Sequence, residues 1–175
     1  FDKKFIIIGN VNAITYKEVF KLIRNNAIWL GQSIHSGDRE FRIPEDYPLQ
    51  AAGFRVDENG VKYIRVKGVR WFTNLDFEER HETLTLYKKY SPADYPHYDN
   101  YDAIEVSKTA DIPYDYDGAM GVPITFLDKF NPDQFEIIGN VGSYAPDGYS
   151  LSGAVYLHGN KMFKRIIIKR KGVAQ

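Results

Sequence analysis

Residues 5–30 constrain the fold most strongly, because two short apolar runs enclose a helical pattern. The first run, residues 5–8, is a continuous Phe-Ile-Ile-Ile stretch, which is typical of a strand buried in a parallel sheet. Thr15, with Glu18 three residues later, forms a capping box and predicts the start of a helix. Residues 27–30 form the second apolar run. Together these signals predict a βαβ unit with a right-handed crossover, and therefore an α/β fold.

The segment that follows predicts a loop and then a β-hairpin. Residues 33–50 are polar and contain proline, so we expect a loop there. An Asn-Gly pair between residues 54–56 and 61–72 is a strong hairpin turn signal, because both residues tolerate positive φ. Gly68 interrupts the second arm of this hairpin and favours a bulge.

The second half of the chain carries weaker signals. Residues 78–89 fit either a short helix or an extended segment, and both interpretations remain open. Residues 91–117 contain many tyrosines and three prolines, so we expect irregular backbone that is ordered by tyrosine packing. We expect a glycine-rich loop over residues 143–152, and a terminal strand with two alternating sides over residues 163–169.

Composition excludes several classes of site. The chain has no cysteine, which removes disulfides, thiolate nucleophiles and cysteine-based zinc sites. Its four histidines are scattered without ligand spacing, so no metal is expected. The apolar runs are too short to span a bilayer and no secretory signal pattern is present. We therefore expect no membrane partner and, by default, a cytoplasmic location.

The charges are unevenly distributed although their formal sum is zero. Residues 161–175 contain six basic residues and no acidic one, whereas residues 90–117 contain seven acidic residues and one lysine. A protein that meets DNA on one face and water on the other shows such an asymmetry. A basic C-terminal end is also common in proteins that touch no nucleic acid, so both interpretations remain open here.

Residues 66–75 combine the three properties that an enzyme needs in order to hold a base outside the DNA helix. Basic residues can contact phosphates, Trp71 and Phe72 offer faces on which a base can stack, and Asn74 can hydrogen-bond a base edge. The alternative is an ordinary β-strand whose aromatic side chains fill the core, since aromatic residues are enriched in strands.

Five separated segments carry a family resemblance. They are residues 3–10, 68–75, 98–104, 115–129 and 131–139. In this order, and over nearly the whole chain, they resemble the EcoRI-type adenine-specific DNA methyltransferase family. The resemblance implies an enzyme of a restriction-modification system that transfers a methyl group from S-adenosylmethionine to the exocyclic N6 amine of a flipped adenine in double-stranded DNA.

Two motifs of that family are absent from the sequence. The family carries a glycine-rich cofactor loop after its first strand and an Asn-Pro-Pro-Phe type tetrapeptide that holds the adenine amine. Asn131-Pro132 begins like the tetrapeptide but lacks the second proline. We therefore expect this chain to be the C-terminal portion of such an enzyme, with no catalytic residue of its own. S-adenosylmethionine would bind mainly to the N-terminal half of the same enzyme, which we expect as a partner.

The resemblance also implies an architecture, the C-terminal half of a Rossmann-like methyltransferase sheet. The strand at residues 5–8 resembles the fifth strand of that sheet, the strand at 27–30 the sixth, and residues 61–72 the antiparallel seventh. Residues 1–77 would form this part of the α/β domain. Residues 78–175 would form a target-recognition appendage, mostly β or irregular, packed on it. Without the other half, the first strand would be an exposed apolar edge.

The site residues expected from these arguments form two groups. The base pocket would use Trp71, Phe72, Asn74 and Asn10, and one of the two aromatic residues should face the core because neighbouring strand residues point to opposite sides. The cations expected to contact DNA are Arg70, Lys164, Arg165, Lys169 and Arg170.

Two other functions remain open. The chain could be a stand-alone, non-catalytic DNA-binding module derived from that family, which predicts salt-dependent DNA binding without affinity for the cofactor. It could also be a structural or interaction domain in which Trp71 and Phe72 are buried. The sequence does not indicate a DNA recognition sequence or an oligomeric state.

Overall fold

The computed structural model describes residues 2–35, 37–48, 50–141 and 153–172. This part of the chain is mixed α/β, with many short strands and a single α-helix, α1 (Lys17–Arg24). The strands are β1 (Ile6–Asn10), β2 (Trp29–Leu30), β3 (Arg39–Arg42), β4 (Phe54–Val56), β5 (Lys62–Val66), β6 (Val69–Thr73), β7 (Ile104–Glu105), β8 (Met120–Pro123), β9 (Phe135–Asn140), β10 (Tyr156–Leu157), β11 (Asn160–Lys161) and β12 (Arg165–Arg170). Turns of 3-10 helix cover Val11–Thr15, Glu78–His81, Thr109–Asp111 and Ile124–Lys129.

The first sheet has the order β1-β6-β2, and β6 is antiparallel to both of its neighbours. β1 and β2 therefore run parallel to each other with β6 between them, and α1 lies in the connection that joins them. The expected strand, helix and strand are thus confirmed. The expectation that the first strand is buried in a parallel sheet is wrong for this chain, because β1 pairs with β6 alone and its three isoleucines are about half exposed.

The helix begins differently from the prediction. Thr15 does not cap α1, because it ends the preceding 3-10 helix and its hydroxyl donates to the carbonyl of Asn12, 2.8 Å away. Tyr16 is the N-cap and makes no side-chain capping bond. The apolar face is nevertheless formed, since Phe20 and Ile23 are buried in the core.

Residues 38–67, here called the arm, form a second sheet that is inserted between β2 and β6. Its strand order is β3-β5-β4, with both outer strands antiparallel to β5. The expected hairpin of β4 and β5 is confirmed. The loop expected over residues 33–50 contains β3, and Gly68 is no bulge: its φ of +64° makes the turn between β5 and β6, which belong to different sheets.

The third sheet, in the order β7-β8-β12-β9, carries most of the core. β12 is its inner strand and is antiparallel to both β8 and β9. Ile166 and Ile168 point into the larger core, which also contains Phe20 and Phe72, while Ile167 belongs to a smaller core on the other face. Both faces of β12 are therefore covered, and the two predicted parts of the chain share one core.

The segment between β6 and β8 is mostly irregular, as expected. It begins with a 3-10 turn and then runs extended without a long strand. Tyr95 and Tyr98 are buried, and the rings of Tyr90 and Tyr116 lie 4.6 Å apart, so tyrosine packing does order this region. The glycine-rich loop expected over residues 143–152 lies outside the described residues. No helix in the described ranges is long and apolar enough to cross a membrane.

Candidate functional site

β6 carries the two aromatic residues of the predicted base pocket, and the structure separates them. Phe72 is buried in the larger core, where its ring packs against Gly9 of β1 so closely that a Cβ atom there would lie 2.8 Å from it. Trp71 is half-buried on the opposite side and packs against Gly31. Trp71 is therefore the aromatic residue of the pair that does not fill the core.

The two amides of the predicted pocket bind backbone at opposite ends of β1. Asn74 accepts from the backbone N–H of Phe5 and donates to the carbonyl of Lys3, both at 2.9 Å. Asn10 donates to the carbonyl of Lys67 at 2.8 Å, and its oxygen accepts from a backbone N–H at the start of the next helical turn. The structure does not bring these two amides together, and their contact with a base stays a prediction.

Arg70 is directed into the molecule. Only 6% of the residue is exposed, and its guanidinium donates to the carbonyls of Val69 and His35. Its Nε lies 3.5 Å from Oδ1 of Asp128, which also lies 3.7 Å from Nδ1 of His35. Burial raises the pKa of the Asp128 carboxyl, and the two cationic neighbours oppose that shift. The sequence gives no signal for this cluster, because its members are far apart along the chain.

Arg165 is also part of an internal network. Its guanidinium holds the buried carboxylate of Glu105 with two nitrogens, at 3.0 Å and 2.7 Å, and the hydroxyl of Tyr98 donates to the same carboxylate. Bonding to Glu105 raises the pKa of Arg165. Burial, and then the negative charge of Glu105, raise the pKa of Tyr98, so its hydroxyl stays protonated. This geometry orders the core beside β12.

The three other predicted DNA contacts differ in exposure. Lys164 and Lys169 are exposed, whereas Arg170 is half-buried and donates to the carbonyl of Tyr114. The five predicted cations therefore form no single surface patch, since Arg70 and Arg165 are engaged inside the described part of the molecule.

A cleft of about 640 Å³ lies along the free edge of β2. Arg80 forms one wall and stacks on the ring of Trp29, with 3.7 Å between the guanidinium carbon and the ring centroid. Burial lowers the pKa of Arg80, and the carboxylate of Asp76 opposes this effect. Four threonines, two phenylalanines and Asp128 complete much of the lining, so the cleft offers both hydroxyl groups and apolar surface. Sequence reasoning did not find it.

The described residues do not fit a complete cofactor site. β1 leads directly into the 3-10 helix Val11–Thr15 instead of a glycine-rich turn, and both amide groups of Asn10 at its end are engaged. Within the described ranges, no group of three or more acidic or histidine side chains could hold a metal ion. No chemical step is therefore assigned to a cofactor bound by these residues.

Comparison with known proteins gives a consistent result. The profile of the family described as "Adenine-specific methyltransferase EcoRI" matches residues 1–171. Type II methyltransferase M.EcoRI of Escherichia coli is 56% identical over 140 residues, which cover 79% of this chain and 43% of that protein. Type II methyltransferase M.MpnI of Mycoplasma pneumoniae is 34% identical over 184 positions, which cover 97% of this chain and 57% of that protein.

A third relative extends the pattern. Type II methyltransferase M.MgeORF184P of Mycoplasma genitalium is 32% identical over 187 positions, which cover 98% of this chain and 58% of that protein. No solved structure matches the chain significantly. The chain thus spans about half the length of the curated relatives that it matches.

Proposed function

Because this chain belongs to the EcoRI-type adenine-specific DNA methyltransferase family, we propose that it is one part of a DNA adenine-N6 methyltransferase of a restriction-modification system. The reaction would transfer a methyl group from S-adenosylmethionine to the exocyclic amine of a flipped adenine in double-stranded DNA. The amine would attack the methyl group in an in-line displacement, so catalysis would depend mainly on orientation.

The observation that carries this proposal is the position of β6. It lies between β1 and β2, which are parallel to each other, and it is antiparallel to both. Methyltransferases of this kind have an antiparallel last strand beside the fifth strand. We accordingly assign β1, β6 and β2 to the fifth, seventh and sixth strands of such a sheet.

The exposure of β1 supports a partner for its free edge. Ile6, Ile7 and Ile8 are 59%, 54% and 48% exposed, and neighbouring strand residues point to opposite faces, so both faces of this strand are apolar. Strands with two apolar faces are typical of parallel sheets that are covered on both sides. We propose that the N-terminal half of the same enzyme covers β1 and supplies the cofactor loop and the Asn-Pro-Pro-Phe type motif.

Among the predicted contacts, burial sets an order of preference. Trp71 is the proposed stacking partner for the base, since Phe72 belongs to the core. Lys164 and Lys169 are the proposed phosphate contacts of β12, since their side chains are exposed. Asn10, Asn74, Arg70, Arg165 and Arg170 would have to exchange internal bonds in order to bind DNA.

The test begins with the intact mass of the native polypeptide that contains this chain. We expect a mass of about twice the 20.2 kDa of the present sequence, because the chain covers 43% of M.EcoRI and 57% of M.MpnI. That polypeptide is then incubated with duplex DNA and S-adenosylmethionine carrying a tritium-labelled methyl group. We expect the label in N6-methyladenine after digestion of the DNA to nucleosides.

The 175-residue chain alone is the matched control and should transfer no label. Label in cytosine, or no transfer by the native polypeptide, would contradict the proposal. Salt-dependent DNA binding by the native polypeptide without methyl transfer or cofactor affinity would instead indicate the non-catalytic DNA-binding module.

A further inference from the structure

The arm stands apart from the rest of the described molecule. Neither core contains a described side chain from residues 38–67, so the arm is not held by apolar packing against the cores. It joins β6 through Gly68, and the first residue of β6, Val69, pairs with Asn10 at the carboxyl end of β1. The arm therefore rises from the end of the sheet at which α/β folds bind their ligands.

One face of the arm collects three arginines around a tyrosine. The strand register places Arg42 of β3 and Arg55 of β4 on either side of Tyr63 of β5. Arg65 follows two residues later on β5 and so points to the same face. This set, here called the arginine face, spans two strand spacings, or about 10 Å.

The arginine face is partly oriented in advance. Glu40 accepts from two nitrogens of Arg55 at 2.8 Å and 2.6 Å, and the Arg55 guanidinium lies 4.3 Å above the Tyr63 ring. Nη1 of Arg55 makes no hydrogen bond to the described residues. Arg65 lies 3.4 Å from Asp38 and its side chain is 66% exposed. Arg42 is exposed and has no partner among the described residues. Nitrogen donors therefore remain available to an anion.

The acidic residues of the arm are concentrated elsewhere. Its distal end is formed by the β4–β5 turn and the adjoining loop after β3, because Ile43 bonds to Lys62 near that turn. The acidic residues of this end are Glu45, Asp46, Asp57 and Glu58. The strands carry the arginines and the distal end carries the uncompensated carboxylates. A polyanion would therefore lie along the strands and away from the distal end.

We propose that the arginine face binds phosphates of the DNA backbone beside the target adenine. The guanidinium fork matches the geometry of phosphate oxygens, and prior orientation by Glu40 and Tyr63 reduces the entropy lost on binding. A row of about 10 Å corresponds to the rise of about three nucleotides along one strand. This inference rests on the proposed function, because it names the surface that positions the DNA for methylation.

The experiment compares two double variants of the full-length protein that remove the same charge. Arg42→Gln with Arg65→Gln alters the arginine face, while Lys17→Gln with Lys21→Gln alters exposed residues of α1. Dissociation constants for a duplex containing the methylated site are measured between 50 mM and 200 mM salt. Each lost phosphate contact should reduce the slope of log affinity against log salt by about 0.9, and should weaken binding roughly tenfold near 0.1 M salt.

We expect the arm variant to lose slope and affinity, while the α1 variant binds as the unaltered protein does. Circular dichroism and thermal unfolding show whether both variants keep their fold. Equal slopes and affinities for all three proteins would overturn the inference, and the proposed function would still stand if the unaltered protein methylates adenine. Failure of the unaltered protein to bind DNA at all would overturn both. Loss of slope in the arm variant, with no methylation by any of the proteins, would support the arginine face and overturn the methyltransferase.

Discussion

β1 and β12 both contain three consecutive isoleucines, yet their environments are opposite. The isoleucines of β1 are between 48% and 59% exposed, whereas Ile166, Ile167 and Ile168 are completely buried. The difference lies in the neighbours. β12 has a strand on each side and a core on each face, while β1 has β6 alone.

This comparison shows what an apolar run can and cannot predict. Three consecutive isoleucines indicate a strand whose two faces become buried in the complete fold. They do not indicate which segment of the protein provides the cover. For β12 this chain provides it, and for β1 we have proposed the other half of the enzyme.

The largest expected effect concerns the polar partner of β12. Glu105→Ala leaves the guanidinium of Arg165, whose side chain is 11% exposed, without its carboxylate. Breaking a buried pair by removing one partner costs about 3–5 kcal/mol. We expect a reduction of this size in the free energy of unfolding of the 175-residue chain, measured by urea denaturation.

The arm provides the matched control for Glu105→Ala. Glu40 also holds an arginine with two hydrogen bonds, but both side chains of that pair are largely exposed. Glu40→Ala should hardly change the stability, because water screens and replaces an exposed ion pair. Similar losses in the two variants would show that Glu105 and Arg165 are accessible to water in solution.

A second prediction compares the isoleucines directly. Ile168→Ala creates a cavity in the larger core and should cost about 2–5 kcal/mol of unfolding free energy. Ile7→Ala in the isolated chain should cost less than about 1 kcal/mol, since 54% of Ile7 is already exposed. Urea unfolding measures both.

Repeating Ile7→Ala in the full-length protein sharpens the comparison. If the other half of the enzyme covers β1, the cost of this substitution should rise toward that of Ile168→Ala. An unchanged, small cost in the full-length protein would show that β1 remains an exposed edge there as well.

Local patterns predicted the elements of the fold better than their surroundings. The strand, helix and strand of residues 5–30 and the Asn-Gly hairpin follow from short-range signals, and both are present. The capping box failed because Thr15 is used by a 3-10 turn that no sequence pattern separates from a helix start. The polar loop over residues 33–50 hid β3, which is stabilised by pairing with β5 and not by burial.

The candidate site was harder to predict, because it depends on contacts between distant segments. Arg70 and Arg165 looked like surface cations in a basic stretch. Their carboxylate partners, Asp128 and Glu105, lie about 60 residues away in the sequence. Resemblance to a family predicted the chemistry, but only the register of the three arm strands places Arg42 and Arg55 on one face.

The smallest expected effect concerns the contact between the two compared sheets. Nε2 of His81 lies 2.9 Å from Asp76, which follows β6, and Nδ1 lies 2.8 Å from Asp133, which precedes β9. The carboxylates of Asp133 and then Asp76 raise the pKa of His81, and bonding to His81 lowers the pKa of Asp76. The ion pairs thus form only when the histidine is protonated and the carboxylates are ionised.

The direction of the pH dependence follows from these two shifts. A raised histidine pKa gives stability that is fully present below the unfolded value of about 6.5 and is lost as the pH rises through the folded value. A lowered aspartate pKa gives stability that is present above about 3.9 and is lost as the pH falls through the folded value. The contact should therefore stabilise the chain most between about pH 4 and 6.5.

Thermal unfolding of the unaltered chain and of His81→Gln between pH 5 and 9 measures this contribution. The difference in Tm should be small, because all three side chains are substantially exposed, and should shrink as the pH rises above 6.5. His97→Gln is the matched control, since this exposed histidine lies 3.9 Å from Asp102 and joins no two sheets. A Tm difference for His81→Gln that stays constant over this pH range would mean that its neutral hydrogen bonds, and not its charge, connect the exposed sheet to the buried one.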